Sequence, residues 1–89
     1  MKREELLETA KDITLKRELA YGKPEQNLQN IADMWSAILD QNITPLTVAR
    51  MMIAVKIARM SGKEDHLDSW VDVAGYAAIA AELMGDSDD

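Results

Sequence analysis

The chain has no cysteine and no phenylalanine, and its 89 residues include one histidine, two prolines, four glycines, two tryptophans and two tyrosines. Without cysteine there are no disulfides and no thiolate metal sites, and the redox compartment is left open. There is no phosphate-binding Gly-rich loop, no HExxH, no nucleophile elbow and no CxxC, so nucleophilic catalysis has no sequence support. No stretch approaches the roughly 18 consecutive apolar residues that would span a bilayer. The start, MKREELLETAKD, lacks the uninterrupted apolar segment of a secretory signal. These absences lead to the expectation of a cytoplasmic protein with no membrane partner.

The 47% of residues that are hydrophobic come almost entirely from Ala, Leu, Ile, Val and Met. That selection favours helices over the β-branched and aromatic mixture of sheets. A chain this short encloses one core and buries a modest share of its surface alone, a shortage that self-association relieves. A net charge of −6 opposes non-specific binding to a nucleic-acid polymer, though not the capture of a small nucleotide in a local basic pocket.

Periodicity divides the chain into four amphipathic segments. Leu6, Ala10, Ile13 and Leu19 or Ala20 recur at helical spacing within residues 1–20. Gly22 suits the position past a helix end, and Pro24 suits the first turn of the next helix. Over 24–40 the stripe Leu28, Ile31, Ala32, Trp35, Ile38 and Leu39 faces one side. Thr44-Pro45 supplies an N-cap oxygen followed by a first-turn proline and opens a helix over 45–60. This third segment is apolar nearly all round, and a helix with two apolar faces needs two partners. A fourth helix spans 66–84, opened by acidic residues and a serine that favour a helix start. Gly75 in its interior costs about 1 kcal/mol relative to alanine, which implies close approach of another helix or a ligand. Residues 85–89 read as a frayed acidic tail. The expected fold is therefore all-α, a compact four-helix domain enlarged by homo-oligomerisation, with Met52, Ile53, Ile57, Met60, Trp70 and Gly75 as the candidate interface.

Chemistry concentrates around the connection between the third and fourth helices. Asp68 and Asp72, four apart, project from one helix face and are the candidate ligands for a hard cation such as Mg²⁺; the same residues also serve as an acidic helix start that complements the macrodipole. Lys56 and Arg59, three apart among apolar neighbours, either clamp a phosphate or pair with the two aspartates. Tyr76 and Tyr21 can place hydroxyls at a pocket rim. His66 is flanked by Asp65 and Asp68, and a surface or capping position accounts for it without a general-base role. Trp35 and Trp70 read as core or interface anchors.

The runs YGKPEQNLQNIADMWSAIL, TPLTVARMMIAVKIARM and HLDSWVDVAGYAAIAAEL, about three quarters of the chain, resemble a family of short, uncharacterised proteins encoded by bacteriophages and prophages. More distantly, KIARM followed by DSWVDVAGYA is similar to part of the MazG-like all-α nucleoside triphosphate pyrophosphohydrolase superfamily. That resemblance implies a helical bundle, oligomers, and Mg²⁺-dependent cleavage of the α–β phosphate bond. Asp68 and Asp72 would correspond to its later acidic pair, and Lys56 and Arg59 to basic residues on the preceding helix. The superfamily's EExxE metal helix has no counterpart between Pro24 and Met60: Glu25 and Asp33 are eight residues apart, and Val55 precedes Lys56. Glu4, Glu5 and Glu8 carry that spacing, but at the start of the chain. Two functions are therefore carried forward. One is an accessory protein on this scaffold that binds a nucleotide or phosphate ligand through Lys56, Arg59, Asp68, Asp72 and Tyr76. The other is a non-enzymatic module that contacts a host defence or replication protein through its acidic surface.

Overall fold

In the computed structural model, which describes residues 1–85, the chain folds into four α-helices: α1 (Arg3–Tyr21), α2 (Pro24–Leu39), α3 (Pro45–Arg59) and α4 (Leu67–Leu83). There are no strands among the described residues. The tail over 86–89 lies outside them. Each connection is short, and its geometry follows from a few side chains. Gly22, at φ 88°, turns the chain after α1 and its N–H returns to Glu18 O at 2.9 Å, while Pro24 opens α2. Asn27 Nδ2 donates to Tyr21 O at 3.2 Å and closes that corner.

The α2–α3 loop is held by Ser36. Its Oγ accepts from Ile43 N at 2.9 Å and donates to Ile43 O at 3.2 Å. Asp40 ends α2 in the left-handed region, at φ 51°. Thr44 Oγ1 then accepts from Thr47 N at 3.2 Å, so the expected cap of α3 forms, with Pro45 behind it. Trp70 Nε1 donates to Glu64 O at 2.8 Å and ties the α3–α4 loop to the first turn of α4.

The core sits where α2, α3 and α4 meet. Leu28, Ala32, Val48 and Ala49 are buried at its centre, ringed by Ile31, Trp35, Ile43, Met52, Ile79, Ala80 and Leu83. Helix α4 is the central element, packing on α3 most extensively, on α1, and lightly on α2. Helix α1 packs substantially on α4 alone. Gly75 makes that contact close, since a Cβ at this position would stand 3.3 Å from Thr14 Cγ2.

The molecule is more open than its mass requires. Its radius of gyration is 13.9 Å, against about 12 Å for a compact chain of this length. Its accessible surface of 6685 Å² exceeds by roughly 1,500 Å² the value expected of a folded monomer of 9.9 kDa. No helix among the described residues is long and apolar enough to cross a membrane.

Candidate functional site

The separation of α1 from α2 leaves a cleft of about 500 Å³ floored by α4. Its apolar walls include Ala10 and Ile13 from α1, Leu28 and Ile31 from α2, and Val71 and Ile79 from α4. This volume lies in the range of small-molecule sites, which are apolar clefts with a few converging polar groups. Here those groups are Thr14, Arg17 and Glu18 on α1, Asn27 on α2, Asp72 and Tyr76 on α4, and Tyr21 at the corner. Both tyrosines line the cleft.

Asp72 organises the charged end. Lys56 Nζ, from α3, donates to Asp72 Oδ2 at 3.0 Å, and the two side chains are 13% and 16% exposed. Arg17, from α1, approaches Asp72 Oδ1 through one guanidinium nitrogen at 3.6 Å and is 56% exposed. Three helices thus converge on one carboxylate. The Lys56 contact is short and sheltered from water, so the two charges compensate each other with little screening. The Arg17 contact is long and wet, the class of ion pair that contributes little.

Of the four charged residues on either side of the α3–α4 connection, the fold brings together Lys56 and Asp72. Arg59, in the last turn of α3, and Asp68, in the first turn of α4, are both exposed, with no ion pair among the described residues. His66 Nδ1 lies 2.8 Å from Ser69 Oγ, so the histidine ring packs on a buried serine at the start of α4. Glu4, Glu5 and Glu8 lie on exposed turns of α1, where Glu4 is 3.6 Å from Arg3 and Glu8 is 3.8 Å from Lys11.

The residues do not fit a resident Mg²⁺. Each Asp72 oxygen faces a cationic side chain, and no group of three or more His, Cys, Asp or Glu among the described residues could hold a metal. A hard cation needs several oxygen ligands and would have to displace Lys56 from a sheltered contact.

Among the candidate interface residues, Met60 and Gly75 are buried inside the fold, so neither is presented to a second chain. Met52 and Ile53 are half-buried, while Ile57 and Trp70 are exposed. Arg17 was not singled out from the sequence. The signal for it was an arginine on the inward stripe of α1, four residues after Ile13 and four before Tyr21.

A family described as a domain of unknown function (DUF6378) matches residues 5–84. The chain belongs to this family. Two relatives are the Gene 55 protein of Mycobacterium phage D29, 41% identical over 81 residues, and the Gene 55 protein of Mycobacterium phage L5, 38% identical over 81 residues. The alignments cover 90% and 89% of this chain, and 54% and 52% of the relatives. The chain thus spans about half the length of the curated relatives it matches. No solved structure matches it. The DUF6378 match covers all four helices but for the first two residues of α1, so the cleft and its charged end lie within the family domain. The phage origin of both relatives agrees with the bacteriophage family resemblance of the sequence.

Proposed function

We propose that the chain is a non-catalytic accessory module of a phage-type protein family that binds a nucleotide or a similar phosphate-bearing ligand in the α1/α2/α4 cleft. The observation that carries this reading is the cleft of about 500 Å³, apolar along its walls and charged at one end by Arg17 and Asp72. Ile31, Tyr76 and Ile79 offer apolar surface to a ligand body, and Asn27 and Asp72 offer it polar partners. Of the five residues expected from sequence, the site keeps Asp72 and Tyr76, retains Lys56 as a structural support, and leaves Arg59 and Asp68 outside the cleft lining. The absence of hydrolysis rests on the donor set, since Asp72 is held by Lys56 in a sheltered contact and no group of three or more His, Cys, Asp or Glu among the described residues stands ready for a metal. A thermal-shift series of nucleotides with and without Mg²⁺ tests it. At about 100 times Kd a ligand raises stability by about 2.7 kcal/mol, which for a domain this small is roughly 10 °C or more in Tm. A rise that needs no Mg²⁺ supports the reading, and no rise with any nucleotide defeats it. Mg²⁺-dependent release of pyrophosphate would establish the enzymatic alternative.

A second reading, a protein-interaction module whose first partner is another copy of the chain, is favoured by the surface excess and by apolar side chains left in water. On α3, Met51, Val55 and Ile57 are exposed, and on α4 Trp70 is. A standard interface removes about 800 Å² from each partner, well within the excess described above. Light scattering at micromolar concentration decides it; a monomer would defeat self-association and leave a host protein as the partner to be sought.

A further inference from the structure

The two cations on Asp72 are not equivalent, and the difference bears on which ligands the cleft accepts. Lys56 comes from α3, does not line the cleft, and is held at 3.0 Å in a largely buried pair. Arg17 lines the cleft, is more than half exposed, and stands 3.6 Å from the other oxygen of the same carboxylate. If Arg17 turns away, Asp72 keeps its short contact with Lys56 and no uncompensated charge is left inside. The reverse does not hold, because removing Lys56 leaves Asp72 with a long, solvent-screened partner.

Resting on the cleft reading above, we propose that Arg17 is an exchangeable anion hook: it leaves Asp72 to bind the phosphate, sulfonate or carboxylate of a ligand whose apolar body fills the cleft, while Lys56 continues to neutralise Asp72. The guanidinium fork suits this role, since it offers an oxyanion two parallel N–H donors where Asp72 now engages a single nitrogen. The charges around it set the selectivity. Glu18 and Asp72 also line the cleft, and with Arg17 and Lys56 the four charges sum to zero. A bare anion therefore gains little there, and affinity requires the apolar body together with the acidic group.

Two fluorescent probes of similar size separate the possibilities on the intact chain. Anilinonaphthalene sulfonate carries an anion on an aromatic body, and phenylnaphthylamine is its neutral counterpart. Charge-assisted hydrogen bonding to Arg17 predicts that the anionic probe binds about tenfold tighter than the neutral one. Arg17→Ala brings the ratio of anionic-probe to neutral-probe affinity down to about one, and the protein still unfolds cooperatively with a midpoint lowered by no more than a few degrees. Inorganic phosphate alone does not compete. If both probes saturate the protein with equal affinity, or if the anionic advantage survives Arg17→Ala, the hook is overturned and the cleft reading stands. If neither probe shows saturable binding, both are overturned.

Discussion

Lys56 and Asp72 meet at 3.0 Å across the α3–α4 joint, and this contact is where the stability of the fold and the charge of the cleft are linked. A carboxylate on the inner side of a central helix needs a partner. Lys56 supplies it from α3, its stem lying along the apolar surface while its amine reaches Asp72. The pair locks the two helices that share the most extensive packing and leaves α1 free to contribute a second, weaker cation.

Removing Lys56 should therefore cost far more than removing Arg17. Lys56→Met strands Asp72 in a partly buried setting and is expected to lower unfolding free energy by about 3 kcal/mol, whereas Arg17→Ala stays below about 1 kcal/mol. The double variant Lys56→Met with Asp72→Leu, which removes both charges, recovers most of the first loss. Urea unfolding of the three proteins measures this. Equal losses for the Lys56 and Arg17 variants would show that the buried pair does not carry the distinction drawn here.

The loop between α2 and α3 gives two changes of opposite sign. Thr44→Ala removes the acceptor of the Thr47 N–H and should destabilise by about 1 kcal/mol. Asp40 adopts φ 51° with a side chain in place. Asp40→Gly relieves that strain and should stabilise by a few tenths of a kcal/mol to about 1 kcal/mol. Thermal unfolding of both variants tests the pair, and a loss of stability in Asp40→Gly would mean that its side chain contributes more than its backbone costs.

Much of this architecture was legible in local chemistry. Thr44-Pro45 marks the start of α3, and Gly22 and Pro24 mark the corner before α2, because these signals act within a few residues; of the expected α2 stripe, Leu28, Ile31, Ala32 and Trp35 face the core, whereas Ile38 and Leu39 in its last turn are exposed. The pairing of Lys56 with Asp72 was legible as one of two open readings, since a short connection returns α4 alongside α3. The position of α1 was not. Its docking depends on Gly75 meeting Thr14, residues 61 positions apart, and no local periodicity encodes such a long-range contact. The cleft follows from that docking and carries Arg17 with it, which is why sequence reasoning placed the site at the α3–α4 connection instead.

Gly75 offers a direct test of whether the docking of α1 creates the cleft. Alanine here gains helix propensity of about 1 kcal/mol but sets its Cβ 3.3 Å from Thr14 Cγ2, so Gly75→Ala should be close to neutral. Gly75→Leu cannot be accommodated without pushing α1 from α4 or filling the cleft, and should destabilise by about 1–3 kcal/mol. It should also abolish ligand-induced stabilisation. A Gly75→Leu protein that still gained stability from a ligand recognised by the parent would place binding elsewhere.

Self-association makes the last prediction, and the lack of cysteine makes it easy to read. Trp70, Ala77 and Ala81 recur at helical spacing on the outward side of α4 and all are exposed. None carries a charge, so two copies of a chain with net charge −6 can approach there without setting like charges opposite one another. A two-fold interface on this face brings Ala77 near its own copy, because symmetry places the same patch on both sides. Ala77→Cys should then form a disulfide-linked dimer under mild oxidation, while Gln29→Cys, on the exposed polar side of α2, should not. Ala77→Glu should abolish self-association at unchanged helicity, because it would bury an unpaired charge at the contact. Light scattering that finds the parent monomeric at micromolar concentration, or cross-linking no better at Ala77 than at Gln29, would exclude this face as the contact between copies.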